Sequence, residues 1–541
     1  MNLLYKIIVS TFFFAQLQAQ QTPSHCDSLL GGWPLARSCY NVLHYDLNLR
    51  LQPKERSISG YNRIKFQLLT SAKLLQLDLA ARMEVDSLVY NQQRLAFTRD
   101  CDALLVQLSE AFKPNESYTI TAYFHGKPIV AKNAPWDGGF VFKDDGAGHP
   151  WIGVAVQGIG ASQWFPVKDS QADEPDLGVH LAYEVPSDLL AIGNGQFEGE
   201  TRLTDGFTRY NWLVTYPINA YDITLDVGDY VTWSETYKGL KMSYYVLRGH
   251  EALARKQFEQ ARGMLDCFQE KIGPYPFARD GYKLVETPFL GMEHQSAVAY
   301  GNQFRNGYLG TDLSDTGIGL RFDFIIIHES AHEWFGNSIT SSDIADMWIH
   351  EGFTTYAESM YIECLFGRED ALSYEVGQRS RIDHDRPILG RYGIHEEGSS
   401  DMYNKGAALV QTLRTAWGDE VKWALDFKKF YQQFQYKIIT TTDVIQFFET
   451  AYGHPVRPVF MEYLEQTTIP ELQFKKQGKH WMMRWNTVEK NFELPVEAQF
   501  ENRTIRLKPT NNWQKVPVQA KKAHFLEVDT RKSYVKVKWV F

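Results

Sequence analysis

HESAHEWFGNSITSSDIADMWIHEGFTTYAE, residues 328–358, sets two histidines four positions apart and then a glutamate in the triplet HEG. On a helix, residues i and i+4 stand one turn apart on the same face, so His328 and His332 can offer both imidazoles to one ion. Glu329, one position on, points beside that face and is free to hold a water instead of the metal. Glu351 lies 19 residues past His332 on what reads as the next helix, and GNSIT with SSDIADM supplies a connection in which the chain can turn back. Two neutral imidazoles and one carboxylate leave a fourth tetrahedral position open, which marks catalytic zinc and not structural zinc.

Working outward, the helical period continues on both sides. HEALARKQFEQARGMLDCFQEKIG is stopped by GPYPF, and MYNKGAALVQTLRTAWG and DEVKWALDFKKFYQQF follow the metal stretch. Before about residue 232 the period is two, in YDLNLRLQ, NRIKFQLL, SYTITAYFHG and ITLDVGDYVTWSETY. After Pro470 it is two again, in WMMRWNTV, FELPVEAQF, RTIRLKP and SYVKVKWVF. The expected architecture is a multidomain α+β chain: a signal peptide over 1–19, an N-terminal antiparallel β domain over 20–232, a mostly helical domain over 233–470 and a small C-terminal β-sandwich over 471–541.

Composition narrows the function classes. Hydrophobic residues make up 44% and charged residues 22% of 541 residues, which is ordinary for a folded protein and excludes disordered and collagen-like classes. The 56 Lys and Arg against 65 Asp and Glu leave a net charge of -9 with no long basic tract, so no nucleic-acid partner is expected. The first residues place Lys6 before an apolar run from Ile7 to Ala15, with Ala19 at a plausible cleavage point, the pattern of a secretory signal. That run is far short of the roughly 20 residues that span a bilayer. Export to a periplasm or the extracellular space is expected, with no stable membrane insertion.

Of five cysteines, Cys26 and Cys39 lie close enough in sequence to form one optional disulfide in an exported chain, while Cys267 and Cys364 read as small core residues of helices. The tail from Glu471 is basic, 15 Lys and Arg against 7 Asp and Glu, and reads as a solvated strand face.

H-E-x-x-H followed by 18 residues and a glutamate resembles the aminopeptidase N and leukotriene epoxide hydrolase family of gluzincins, and other segments agree. FLGMEHQSAVAYGN is similar to that family's G-x-M-E-N exopeptidase motif, which implies that Glu293 grips a free α-amino group while Gly291 and Met292 lie along the substrate backbone. DMYNKGAAL resembles its Y-x-K-G segment and makes Tyr403 the phenol expected to hydrogen-bond an oxyanion. VQGIGASQWFPVKD puts Gln157 where the family has a second amino-group contact. The motif is not intact: Leu290 stands in place of its glycine and His294 in place of its asparagine.

The resemblance implies a thermolysin-like catalytic domain, one Zn2+ per chain on His328, His332 and Glu351, and Glu329 as general base. It also implies peptide substrates with a free N-terminus. The chain stops soon after the terminal β module, without the large helical domain of many relatives, and an open cleft tolerant of longer peptides is expected. Two alternatives stay open: an epoxide or ester hydrolase using the same metal, and a relative that binds peptides without turnover.

Overall fold

In the first domain, period-two alternation turns one row of side chains inward. Leu47, Leu49 and Leu51 are buried while Asn48 and Arg50 between them are half-exposed. In the computed structural model, which describes residues 22–110, 112–518 and 526–540, these strands build an eight-stranded sheet with Tyr40–Gln52 and Ser57–Leu68 at its centre. The expected signal segment lies outside the described residues. Pairing in this sheet is antiparallel except between Tyr40–Gln52 and Val179–Pro186, which run parallel. A separate four-stranded sheet includes Pro150–Ala155, and the chain leaving that strand carries Gln157 to the domain boundary.

The strand Tyr230–Tyr237, which spans the expected boundary at 232, pairs with Leu240–Leu247. That strand runs parallel to Tyr282–Glu286, and the five-stranded sheet continues through Val298–Tyr300 to the short edge strand Gly291–Met292. Alternation in the sequence shows a strand at 230 but says nothing of its partner.

Four helices of the second domain carry or support the site: α1 (Gln260–Lys271), α2 (Phe324–Ala331), α3 (Trp348–Phe366) and α4 (Asn404–Trp417). Asp323 caps α2 by accepting hydrogen bonds from the backbone N–H groups of Ile325 and Ile326. The chain leaves helical geometry at Phe335 and Gly336, whose φ of 124° suits glycine. Helix α3 is buried from Trp348 to Ile362, so it is the central rod of the domain and needs no polar face. Helix α4 meets it backbone to backbone: a Cβ on Gly406 would lie 2.9 Å from the Cα of Gly352.

The C-terminal module has two sheets, one of them with strands β1 (Glu471–Gln477), β2 (His480–Asn486), β3 (Gln514–Lys515) and β4 (Lys536–Val540) in the order β3-β2-β1-β4. Its Leu472, Phe474 and Trp485 belong to the same buried cluster as Leu409 and Leu413 of α4, so module and catalytic domain share one core.

The cysteines pair otherwise than expected. Cys26 bonds to Cys101 and Cys267 to Cys364, while Cys39 is a buried free thiol. Cys39 caps the short helix Leu35–Ser38 just before the first strand and is fully buried, whereas the N-terminal helix His25–Gly31 lies over the turn at Cys101, where His25 also contacts Asp100 at 2.9 Å. Cys267 and Cys364 are brought together by the packing of α1 on α3, with Cα atoms 6.1 Å apart. The second bond closes a loop of 97 residues onto the helix that carries Glu351. Replacing both Cys267 and Cys364 by serine is expected to cost about 2–5 kcal/mol of stability. A thermal melt of the double variant checks this; an unchanged melting temperature would show that the bond adds nothing.

Candidate active site

Helices α2 and α3 lie side by side so that His328, His332 and Glu351 converge. The Nε2 atoms of His328 and His332 are 3.3 Å apart, and Oε2 of Glu351 lies 3.6 Å from the first and 3.3 Å from the second. Each imidazole is oriented from its far side. Nδ1 of His328 donates to Oε1 of Glu358 at 2.7 Å, and Nδ1 of His332 donates to the Phe335 carbonyl at 3.0 Å. These bonds leave the two Nε2 lone pairs facing each other beside a carboxylate oxygen that is buried without a hydrogen-bond partner. Two lone pairs and an anionic oxygen repel unless a cation stands among them, so the donor set fits one zinc ion.

The amino-group candidates meet at the same place. Gln157 Nε2 donates to Oε1 of Glu293 at 2.5 Å and to Oε1 of Glu351 at 3.3 Å, joining anchor and metal cluster through one amide. Glu293 is 3% exposed, and its backbone carbonyl accepts from Asn337 Nδ2 at 2.7 Å. Glu329 sits between the two groups, its carboxylate within 4.8 Å of a carboxylate oxygen of Glu293 and a ring nitrogen of His332. Burial raises Glu329 to about 7, where a carboxylate can both take and return a proton near neutral pH. Gly291 makes room for it: a Cβ there would lie 2.7 Å from Glu329 Oε1 and 2.9 Å from Ile325 Cγ2.

Tyr403, immediately before α4, stacks its ring on that of His328 with centroids 6.0 Å apart. The Gly352–Gly406 contact one turn later brings it that close. Burial and the neighbouring Glu351 raise its pKa well above the ordinary value, so it stays a phenol that can donate. Gln157, Gly291, Met292, Glu293, Glu329 and Tyr403 all line one cavity of about 470 Å3 with the three metal-binding candidates.

The family model described as Peptidase M1 N-terminal domain matches residues 41–221, and that described as Peptidase family M1 domain matches residues 257–463. The chain belongs to peptidase family M1. It is 26% identical to Aminopeptidase M1-B of Oryza sativa subsp. japonica over 59% of its own length, and 20% identical to glutamyl aminopeptidase of Bos taurus over 82%. It spans only 37% and 48% of those relatives. The crystal structure of an M1 zinc metallopeptidase from Deinococcus radiodurans shares the fold, with a TM-score of 0.66 at 21% identity over 80% of this chain and 95% of that one. A mutant of that metallopeptidase bound to a Tyr-Ser-Ala substrate matches with a TM-score of 0.64.

Two residues of this M1 chain's site escaped the sequence reading. Glu358 lies seven residues after Glu351 on the same face of α3, a spacing that could have revealed it. Besides orienting His328 it accepts from Tyr374 at 2.7 Å and from Gln378 at 3.1 Å, which fix the carboxylate in turn. Tyr221 has no local signal. It comes from the N-terminal domain and donates to Oε1 of Glu293 at 3.1 Å, while Nδ1 of His350 approaches its oxygen at 3.4 Å. The backbone N–H of Ser341 donates to Nε2 of His350 at 2.8 Å, which leaves the ring proton on Nδ1, aimed at Tyr221. Tyr221→Phe is expected to raise KM for free-amine substrates about 3- to 10-fold with a smaller change in kcat, and steady-state kinetics would read the split. A fall in kcat alone would show that the tyrosine does not serve the anchor.

The motif's departures have distinct consequences. Leu290 lines the cavity. His294 is fully buried, and burial pushes it down to about 3, so it is a neutral ring and not a further charge next to Glu293.

Proposed function

We propose that this chain is an exported zinc aminopeptidase that releases the first residue of peptides. The observation that carries the reading is the link from Glu293 through Gln157 to Glu351: a buried acidic anchor, its carboxylate within 4.8 Å of a ring nitrogen of His332, stands beside the metal cluster and can hold a free chain end there. His328, His332 and Glu351 hold the zinc, which when bound supplies a Lewis acid for the scissile carbonyl and the means of activating water at neutral pH.

The chain's own groups do the rest. Oε1 of Glu293 accepts from Gln157 and Tyr221, which hold the carboxylate in place to accept the substrate ammonium. Glu329 takes the proton from the attacking water and returns it to the leaving nitrogen. The phenol of Tyr403 donates to the oxygen on which negative charge develops. Gly291 and Met292 lie along the bound backbone from the edge strand. Export is supported by the pattern of the first twenty residues and by two disulfides, which persist in oxidising compartments.

Hydrolysis of aminoacyl-4-nitroanilides beside their N-acetylated forms, with and without a zinc chelator, tests the activity. Release much faster from free-amine substrates than from their N-acetylated forms, abolished by the chelator and restored by zinc, is expected. Silence across the panel with zinc shown to be bound would favour ester or epoxide hydrolysis, or peptide binding without turnover.

A further inference from the structure

The basic character of the C-terminal module is visible in its composition, but its sidedness emerges from the pairing register. Lys536 of β4 stands opposite Glu471 of β1 and Lys538 opposite Gln473; Gln473 faces Arg484 of β2, Lys475 faces Met482, and Met482 faces Lys515 of β3. Residues paired across a sheet share a face, and alternate residues take the other. The alternate set, Leu472, Phe474, Met483 and Trp485, is buried against the core, with Trp539 stacked on Phe474 at 4.8 Å. Lys475, Arg484, Lys515, Lys536 and Lys538 therefore stand together on the outer face.

Little on that face neutralises them. Glu471 is the acid the register places there, 3.8 Å from Lys538, and Lys475, Lys515 and Lys536 form no ion pair among the described residues. Among the module's other acids, Glu497 pairs with Lys532 and Asp529 lies 3.5 Å from Arg531. Trp513, two residues before Lys515, lies among the cations, its ring centroid 4.1 Å from Nζ of Lys475 and 4.6 Å from Cζ of Arg484. The rest of the molecule has the opposite sign, since the whole chain is at -9 while this module alone is basic.

We propose that this sheet face docks the chain onto a bilayer surface rich in anionic phospholipid. Neighbouring strands stand about 4.8 Å apart, so the cations are spread over a broad twisted surface without a groove for a single polymer chain, and a surface of phosphates is its complement. An indole beside cations is the side chain that settles at the headgroup level, apolar in its ring and polar at its N–H. Attachment is peripheral: among the described residues no helix is long and apolar enough to cross a membrane. Each lysine near an anionic leaflet raises partitioning about fivefold, and the attraction fades beyond about 8 Å at physiological salt.

Sedimentation of the full chain with vesicles of phosphatidylcholine containing phosphatidylglycerol, against phosphatidylcholine alone, tests this at low and high salt. Binding to the anionic vesicles that high salt reverses is expected. In the variant Lys475→Gln/Lys515→Gln/Lys536→Gln/Lys538→Gln it should fall more than about a hundredfold, with melting temperature and turnover unchanged. Trp513→Ala should weaken binding and leave its salt dependence in place. Equal binding to both vesicle types, binding indifferent to the lysines, or binding to soluble polyphosphate but to neither vesicle would overturn the proposal.

Discussion

Replacing Glu329 by glutamine is expected to lower kcat for a free-amine peptide by about 10²- to 10⁴-fold while the protein keeps its zinc. The substitution preserves the shape of the side chain in its slot between Gly291 and the metal cluster, and it removes only the capacity to take and return a proton. His328, His332 and Glu351 are untouched, so metal content measured by atomic absorption should stay at one per chain. A companion variant separates position from chemistry. Gly291→Ala keeps the carboxylate but places a methyl group 2.7 Å from Glu329 Oε1, so a smaller loss of kcat is expected as the side chain is pushed aside. Full turnover by Glu329→Gln would remove Glu329 as the base.

What could be read from the sequence was what local spacing encodes. His328 and His332 meet because the distance between them is one helical turn, and the alternating strands of the first domain showed themselves by period. Long-range partners left no such trace. The parallel pairing of Tyr40–Gln52 with Val179–Pro186, the bonds from Cys26 to Cys101 and from Cys267 to Cys364, and the approach of Tyr221 to Glu293 all join residues more than seventy positions apart. Spacing cannot select among such partners, and four cysteines alone permit three connectivities. Gly352 and Gly406 show the same limit from the other side: each is an unremarkable glycine until the two helices are seen to touch there and bring Tyr403 onto His328.

Glu293→Ala should produce the second large effect, and one that falls on a single class of substrate. The carboxylate is buried and receives two donors at Oε1, so its position is set before substrate arrives and little ordering remains to be done on binding. Removing one partner of a buried, hydrogen-bonded charge pair costs about 2–5 kcal/mol, which corresponds to roughly 30- to 5,000-fold in kcat/KM for peptides with a free amine. Part of that loss arises because the amide of Gln157 and the hydroxyl of Tyr221 are left pointing at an empty anchor. N-acetylated substrates never use the anchor, and their slow hydrolysis should be unchanged. The ratio between the two substrate classes is therefore the informative quantity, since damage to the metal cluster would lower both rates together and leave the ratio where it was. A ratio unaltered by Glu293→Ala would mean that the amino group is read elsewhere in the cavity, and the distance from Glu293 to the metal would no longer explain release of a single residue.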